Sequence, residues 1–140
     1  MRTQEKELLL QDLSARLPYG VKVKFTIDEN IERNGNIIYV IDGEYSYVCN
    51  KKTIITYDNI KYVYNGFFDD VKPYLFPLSS MTEEQEIEYD ATFDTIVYDN
   101  GKKDSVMTYK SFDWLNANHF DFRGLISKGL AIDATNLNIY

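Results

Sequence analysis

The chain has 140 residues, 44% of them hydrophobic, and a formal net charge of −7. That is one domain's worth of sequence with enough apolar content for a core, which excludes wholesale disorder. A single cysteine, Cys49, and a single histidine, His119, exclude an internal disulfide framework, a multi-cysteine zinc site and a His-rich metal centre.

The opening stretch, MRTQEKELLLQDL, has only Leu8-Leu9-Leu10 as an apolar run, with acids on both sides. That is too short for a signal-peptide core. No stretch reaches the ~18 apolar residues of a membrane span. A cytoplasmic protein without membrane contact is the expectation. Residues 4–17 read as an amphipathic helix capped by Thr3, with Leu9, Leu10, Leu13 and Leu17 along one stripe. Pro18 and Gly20 end it. Packing onto a sheet is the first reading of the stripe, and a short dimer seam the second.

Residues 21–27 alternate, with Val21, Val23, Phe25 and Ile27 on one side and Lys22, Lys24 and Thr26 on the other. This is the pattern of a half-buried strand. Asn34-Gly35, Asp42-Gly43, Asn50-Lys51 and Asp58-Asn59 then punctuate stretches rich in Ile, Val and Tyr. Two-residue Asn-Gly and Asp-Gly steps are strong hairpin signals. Five short antiparallel strands over 21–66 are predicted, meandering as an SH3-like small barrel or a curled sheet. Residues 67–81 contain Pro73 and Pro77 together with Phe67, Phe68, Tyr74, Leu75 and Phe76. The prolines argue against helix and sheet, and the apolar residues against a free linker, so a crossing segment packed over the sheet is expected.

Thr82-Glu83-Glu84-Gln85 is a capping box that opens a helix to about Phe93. Thr95–Asp99 and Ser105–Tyr109 are expected to form a hairpin around Asn100-Gly101. Ser111 reads as the N-cap of a helix over 112–118. Asp121 reads as the cap of a second over 122–127, ended by Gly129 in the left-handed conformation. The apolar run Leu130–Ile132 adds a strand or frays. The predicted fold class is therefore α+β in one domain, 1–140. Residues 1–66 supply a helix and antiparallel strands; residues 67–140 supply the crossing segment and a mainly helical part.

The densest polar cluster is DWLNANHFDFR, holding Trp114, Asn116, Asn118, His119, Asp121 and Arg123. A histidine near Asp and Asn suits acid–base chemistry. Asp113 and His119, however, stand six apart and off one helical face. Capping and docking of chain ends is the first reading, a partner surface the second, and a hydrolase using His119 the last. As a partner surface the cluster combines with Tyr74 and Phe76. No catalytic residue, metal or cofactor is expected. Glu84 and Glu88 share a helical face but read as solvated acids, and Cys49 as a small hydrophobe. No GxxxxGK[ST] or GxGxxG spacing is present.

Lys22, Lys24, Tyr45, Tyr47, Lys51 and Lys52 form the alternative site, an aromatic and basic strand face for nucleic acid. Acids interleave with them, and eight acids stand against Lys102 and Lys103 between Glu83 and Asp104. Backbone binding draws on Lys and Arg, so nucleic acid is not the expected partner.

The phrases LPYGVKVKF, KPYLFPLSSMT and WLNANHFDFRGLI resemble a group of small proteins of gut anaerobic bacteria and their phages and prophages. The resemblance spans most of the chain apart from 28–64 and 91–110. It implies no activity, substrate or catalytic residue. It implies a setting: a mobile-element accessory protein in a bacterial cytoplasm. With the residues above, it leads to the expectation of a non-enzymatic protein-binding module, monomeric or weakly dimeric.

Overall fold

The computed structural model describes the backbone of residues 3–28, 31–45, 48–57, 60–65 and 71–140, and the side chains of 3–25, 32–36 and 71–140. Helix α1 runs Thr3–Arg16 and ends in a 3-10 turn, Leu17–Tyr19, closed by Gly20 at φ 73°. The strands β1 (Lys22–Asp28), β2 (Ile31–Tyr45), β3 (Val48–Tyr57) and β4 (Ile60–Asn65) follow as an antiparallel meander. β5 is Lys72–Leu75, α2 is Glu83–Asp90, β6 and β7 are Asp94–Val97 and Lys103–Val106, α3 is Tyr109–Ala117, and β8 is Ile132–Asp133.

The main sheet has the order β4-β3-β2-β1-β5-β8. Among the described residues it is open, with β4 and β8 as its ends, and the five-stranded SH3-like barrel is not borne out. The chain is α+β with mixed sheets, because β8 joins β5 in parallel while the other pairings are antiparallel. Among the described residues of 22–65 there are four strands where five were expected. The Asn34-Gly35 and Asp42-Gly43 steps do not turn. Both lie inside β2, with Gly35 opposite Val23 and Gly43 opposite Asn50. β1 and β2 pair from Asp28 opposite Ile31 to Lys22 opposite Asn36. Hairpin dipeptides are a local preference, and here the pairing that flanks β1 overrides it. β2 serves two partners in succession: Ile31–Asn36 pair with β1 and Asn36–Tyr45 with β3, with a register shift between Ile37 and Tyr39.

The core lies between α1 and the β1–β5 end of the sheet. Leu9, Leu13, Val21, Val23, Phe25, Val71, Leu75, Leu125, Leu130 and Ala131 form one buried cluster. Each large side chain there contributes about 1.5–3 kcal/mol of apolar burial. The N-terminal leucine stripe is thus spent on the sheet, not on a dimer seam. Pro73 stands within β5, opposite Val23, and so does not break the sheet. β8 pairs only with Tyr74 and Leu75, so the missing N–H of Pro73 costs that ladder nothing.

The two predicted helices after residue 108 differ from expectation. α3 is capped by Thr108, and Ser111 is the N3 residue of that capping box. Residues 122–127 form turns instead of a helix. Asp121 still acts as a cap, its carboxylate accepting from the Leu125 and Ile126 N–H groups at 2.8 and 2.9 Å. Gly129 is left-handed at φ 72° as expected.

Candidate functional site

Two regions are candidates, and they are built in opposite ways. The first is the cluster around residues 112–123. Its centre is an ion network that the helical stripe concealed. Asp12 and Arg16 lie on the apolar face of α1 between the leucines, and both are fully buried. The Arg16 Nε donates to Asp12 at 2.9 Å, and Arg123 Nη1 donates to the other Asp12 oxygen at 2.7 Å. Arg16 Nη2 donates to the Phe120 carbonyl at 2.6 Å. The Phe122 ring lies under both guanidinium groups, 5.7 Å from Arg16 and 4.2 Å from Arg123. The network ties α1 to the segment after α3. Its sequence signal was available: Asp12 and Arg16 fall at i+3 and i+7 from Leu9, on the face a core helix keeps apolar.

The polar groups of the other cluster members are taken up within the chain. Asn118 donates from its side chain to the Trp114 carbonyl at 2.9 Å. Asn116 is buried, with Arg123 at 3.5 Å from its side-chain oxygen. Trp114 stacks between Tyr89 and Phe120 at 5.4 and 5.5 Å, with its indole N–H 3.3 Å from Glu88. Phe76 packs on Phe120 and Tyr140, and its backbone bonds on both sides to the His119–Asp121 segment. Tyr74 is buried, donating its hydroxyl to the Asn34 side chain. The structure therefore brings Tyr74, Phe76 and His119 together around Tyr140, and Trp114 beside Phe120.

His119 occupies the residue after the α3 C-cap. The Phe120 N–H reaches the Leu115 carbonyl at 2.9 Å and the His119 N–H reaches the Asn116 carbonyl at 3.2 Å. This is a Schellman motif with histidine at φ 62° where glycine is the usual residue. The ring stacks on Tyr140 at 3.7 Å. Desolvation, then the charges of Arg16 and Lys22, lower its pKa from 6.5 to about 4. The imidazole is neutral at pH 7, its Nδ1 has no hydrogen-bond partner, and among the described residues no carboxylate bonds to the ring. Much of Tyr140 is open to solvent, but its hydroxyl is held at both sides. It donates to the Tyr74 carbonyl at 2.7 Å and accepts from the Lys22 N–H at 3.0 Å, and burial of that end pushes its pKa to about 12.

The strand lysines that the structure describes are also engaged. Lys22 donates from Nζ to the Ile139 carbonyl at 2.8 Å. Lys24 pairs with Glu32 at 2.6 Å, and that hydrogen bond raises its pKa. The side chains of Tyr45, Lys51 and Lys52, and all of Tyr47, lie outside the described residues. A cavity of about 200 Å³ opens beside Lys22, Asn34, Asn36 and Asn138, smaller than the ~300 Å³ at which small-molecule pockets begin. Among the described residues no group of acids, His or Cys could hold a metal, and no helix is long and apolar enough to cross a membrane.

The second region is the opposite case. From Phe76 to Lys110 not one residue is buried. α2 has no buried residue, and every side chain of β6 is exposed. Local devices hold this segment in shape. The Thr82–Gln85 and Thr108–Ser111 capping boxes are both closed. Thr92 bonds to the Ser111 hydroxyl at 2.8 Å, and the Thr108 hydroxyl donates to the Thr92 carbonyl at 2.9 Å. Tyr89 meets Phe93 edge-on at 5.0 Å. Outward from this frame stand Ile87, Val97 and Tyr109, exposed at 70%, 62% and 72%, with Leu78, Ile96, Tyr98, Met107 and Phe112 also exposed. The sequence carried a signal for this. Thr95-Ile96-Val97-Tyr98 is a run without alternation, which puts apolar side chains on both faces of a two-stranded ribbon.

The chain matches no family model, no curated protein and no solved structure.

Proposed function

We propose that this chain is a non-enzymatic accessory protein that works by binding another protein, in the cytoplasm of a bacterial cell and in a phage or prophage setting. The setting follows from the resemblance of the KPYLFPLSSMT and WLNANHFDFRGLI phrases. One observation carries the binding reading: residues 76–110 include α2, β6, β7 and the start of α3 with no buried residue, and they display large apolar side chains. Large exposed apolar patches mark interaction sites, and these elements expose Ile87, Ile96, Val97 and Tyr109. The face favoured here is α2, the β6–β7 ribbon and the start of α3. It is preferred to the 112–123 cluster with Tyr74 and Phe76, because that cluster's polar groups are largely taken up by bonds within the chain.

The test is a triple variant, Ile87→Asp, Val97→Asp and Tyr109→Asp. Tagged wild-type and variant chains are used to capture partners from nuclease-treated bacterial lysate, and their melting temperatures are compared. The reading expects a stoichiometric protein retained by the wild type and lost by the variant at unchanged melting temperature. Equal capture by both chains overturns the face, and capture that disappears with nuclease favours the nucleic-acid alternative.

A further inference from the structure

The ribbon's hydrogen bonds show which backbone groups are left open. The Tyr98 N–H donates to the Lys102 carbonyl at 2.8 Å. The register then pairs Val97 with Lys103, Ile96 with Asp104, Thr95 with Ser105 and Asp94 with Val106. In an antiparallel ladder, bonded and non-bonded pairs alternate. Tyr98, Ile96 and Asp94 therefore spend their backbone groups on β7. Thr95 and Val97 turn their N–H and C=O groups to the outer edge of β6. Lys103 and Ser105 do the same on the outer edge of β7. Among the described residues no hydrogen bond reaches any of these four from outside the ribbon.

The two edges are not equivalent. Lysine on an edge strand discourages pairing with another chain, and β7 carries Lys103. β6, with the sequence DTIV, carries no such guard and offers Ile96 and Val97 to opposite faces. Asp94 stands at one end of it and Asp99 just beyond the other, with Asp90 nearby. The residues from Glu83 to Asp104 hold eight acids against two lysines. A strand that joined β6 would find apolar contacts at its middle and negative charge at both ends.

We propose that the outer edge of β6 accepts, as a third strand, an extended segment of a partner protein with apolar residues at its centre and Lys or Arg at its flanks. The proposal rests on the protein-binding reading and names the partner's chemistry. Main-chain bonds to Thr95 and Val97 give the affinity, and the flanking charges set direction and register. A two-stranded ribbon is only marginally stable alone, and a third strand is the addition that stabilises it. A second copy of this chain is the poorer occupant, since its own overall charge is negative.

The experiment uses the full chain, labelled with nitrogen-15. The probe is a blocked pentapeptide, Lys-Val-Thr-Val-Lys, and the control is its Glu-flanked counterpart. Saturable amide shifts and slowed exchange at Thr95 and Val97 are expected. The Glu-flanked peptide binds at least about tenfold more weakly, and salt weakens the Lys-flanked one. Val97→Pro removes one outward N–H at a position where an edge strand tolerates proline. It abolishes the shifts while leaving the rest of the spectrum in place. Ser105→Pro, on the other edge, leaves binding unchanged. Absence of shifts at β6, equal binding of the two peptides, or binding that survives Val97→Pro overturns the proposal. Concentration-dependent dimerisation lost in Val97→Pro overturns it in favour of self-pairing. If strand addition fails while the triple aspartate variant still loses its partner, the binding reading stands without this mode; if both fail, both fall.

Discussion

The segments 111–134 and 76–110 are neighbours in sequence, yet the first contributes buried residues to the interior and the second contributes none. The first closes over α1 with an ion network, two left-handed helix-type stops and the leucines of the core. The second is held by two capping boxes, a knot of three hydroxyls and one aromatic stack. Caps fix the direction of a short helix without burying it. Order and burial are therefore separable in this chain, and the place where they separate is the place that carries unclaimed apolar surface.

The contrast breaks first at Asp12. Asp12→Ala leaves Arg16 and Arg123 buried or half-buried without their shared carboxylate. Loss of about 3–5 kcal/mol is expected, measured by urea denaturation. A loss below about 1 kcal/mol contradicts the claim that this network holds the first region together.

Acid acts on the same region through His119. Its folded pKa lies near 4 and its ordinary value at 6.5, so between these values the unfolded chain binds more protons than the folded one. Stability is complete above about pH 6.5, falls as pH drops through the window and levels off below 4. The ring is partly exposed, so a discounted penalty of about 1–2 kcal/mol is expected. The difference in melting temperature between wild type and His119→Asn, followed from pH 7 to pH 4, isolates it from the carboxylates. A constant difference across that window contradicts the neutral, partly desolvated imidazole.

The backbone at His119 gives a sharper comparison. His119→Ala and His119→Gly both lose the stack on Tyr140, but only alanine keeps the left-handed strain. His119→Gly is expected to be more stable than His119→Ala by about 1 kcal/mol. Thr82→Ala removes the N-cap of α2 and costs about 1 kcal/mol of local helix stability. That loss appears as faster exchange of the α2 amides, with little change in the global melting temperature. Smallest of all is Val97→Asp, expected to stay within about 0.5 kcal/mol because the side chain has no buried contact to lose.

Much of the architecture was legible in the sequence. The leucine stripe at 9, 10, 13 and 17, the Thr82 capping box and Gly129 each state a local rule that the tertiary structure keeps. The strand count was not legible. Asn34-Gly35 and Asp42-Gly43 speak for turns only when neighbouring strands leave them free, and β1 and β3 do not. The five-stranded SH3-like barrel was not borne out for a related reason: how far a sheet closes depends on which strands end at an edge, and no single-strand pattern reports that. In the candidate site, the cluster at 112–123 was legible as chain-end capping, which is its role for Asp121 and Asn118. The Asp12–Arg123 link was not, since it joins residues far apart in sequence. The exposed face at 87, 97 and 109 was missed because an apolar residue in a helix or strand reads as core until packing shows that nothing lies above it.

The separation of order from burial is tested most directly by amide hydrogen exchange of the full, unbound chain. The account predicts that the amides of α2 and β6–β7 open locally and exchange well before those of Val23, Phe25 and Leu75, which are released only by global unfolding. Equal protection in the two regions would contradict it, because residues 76–110 would then belong to the same cooperative core.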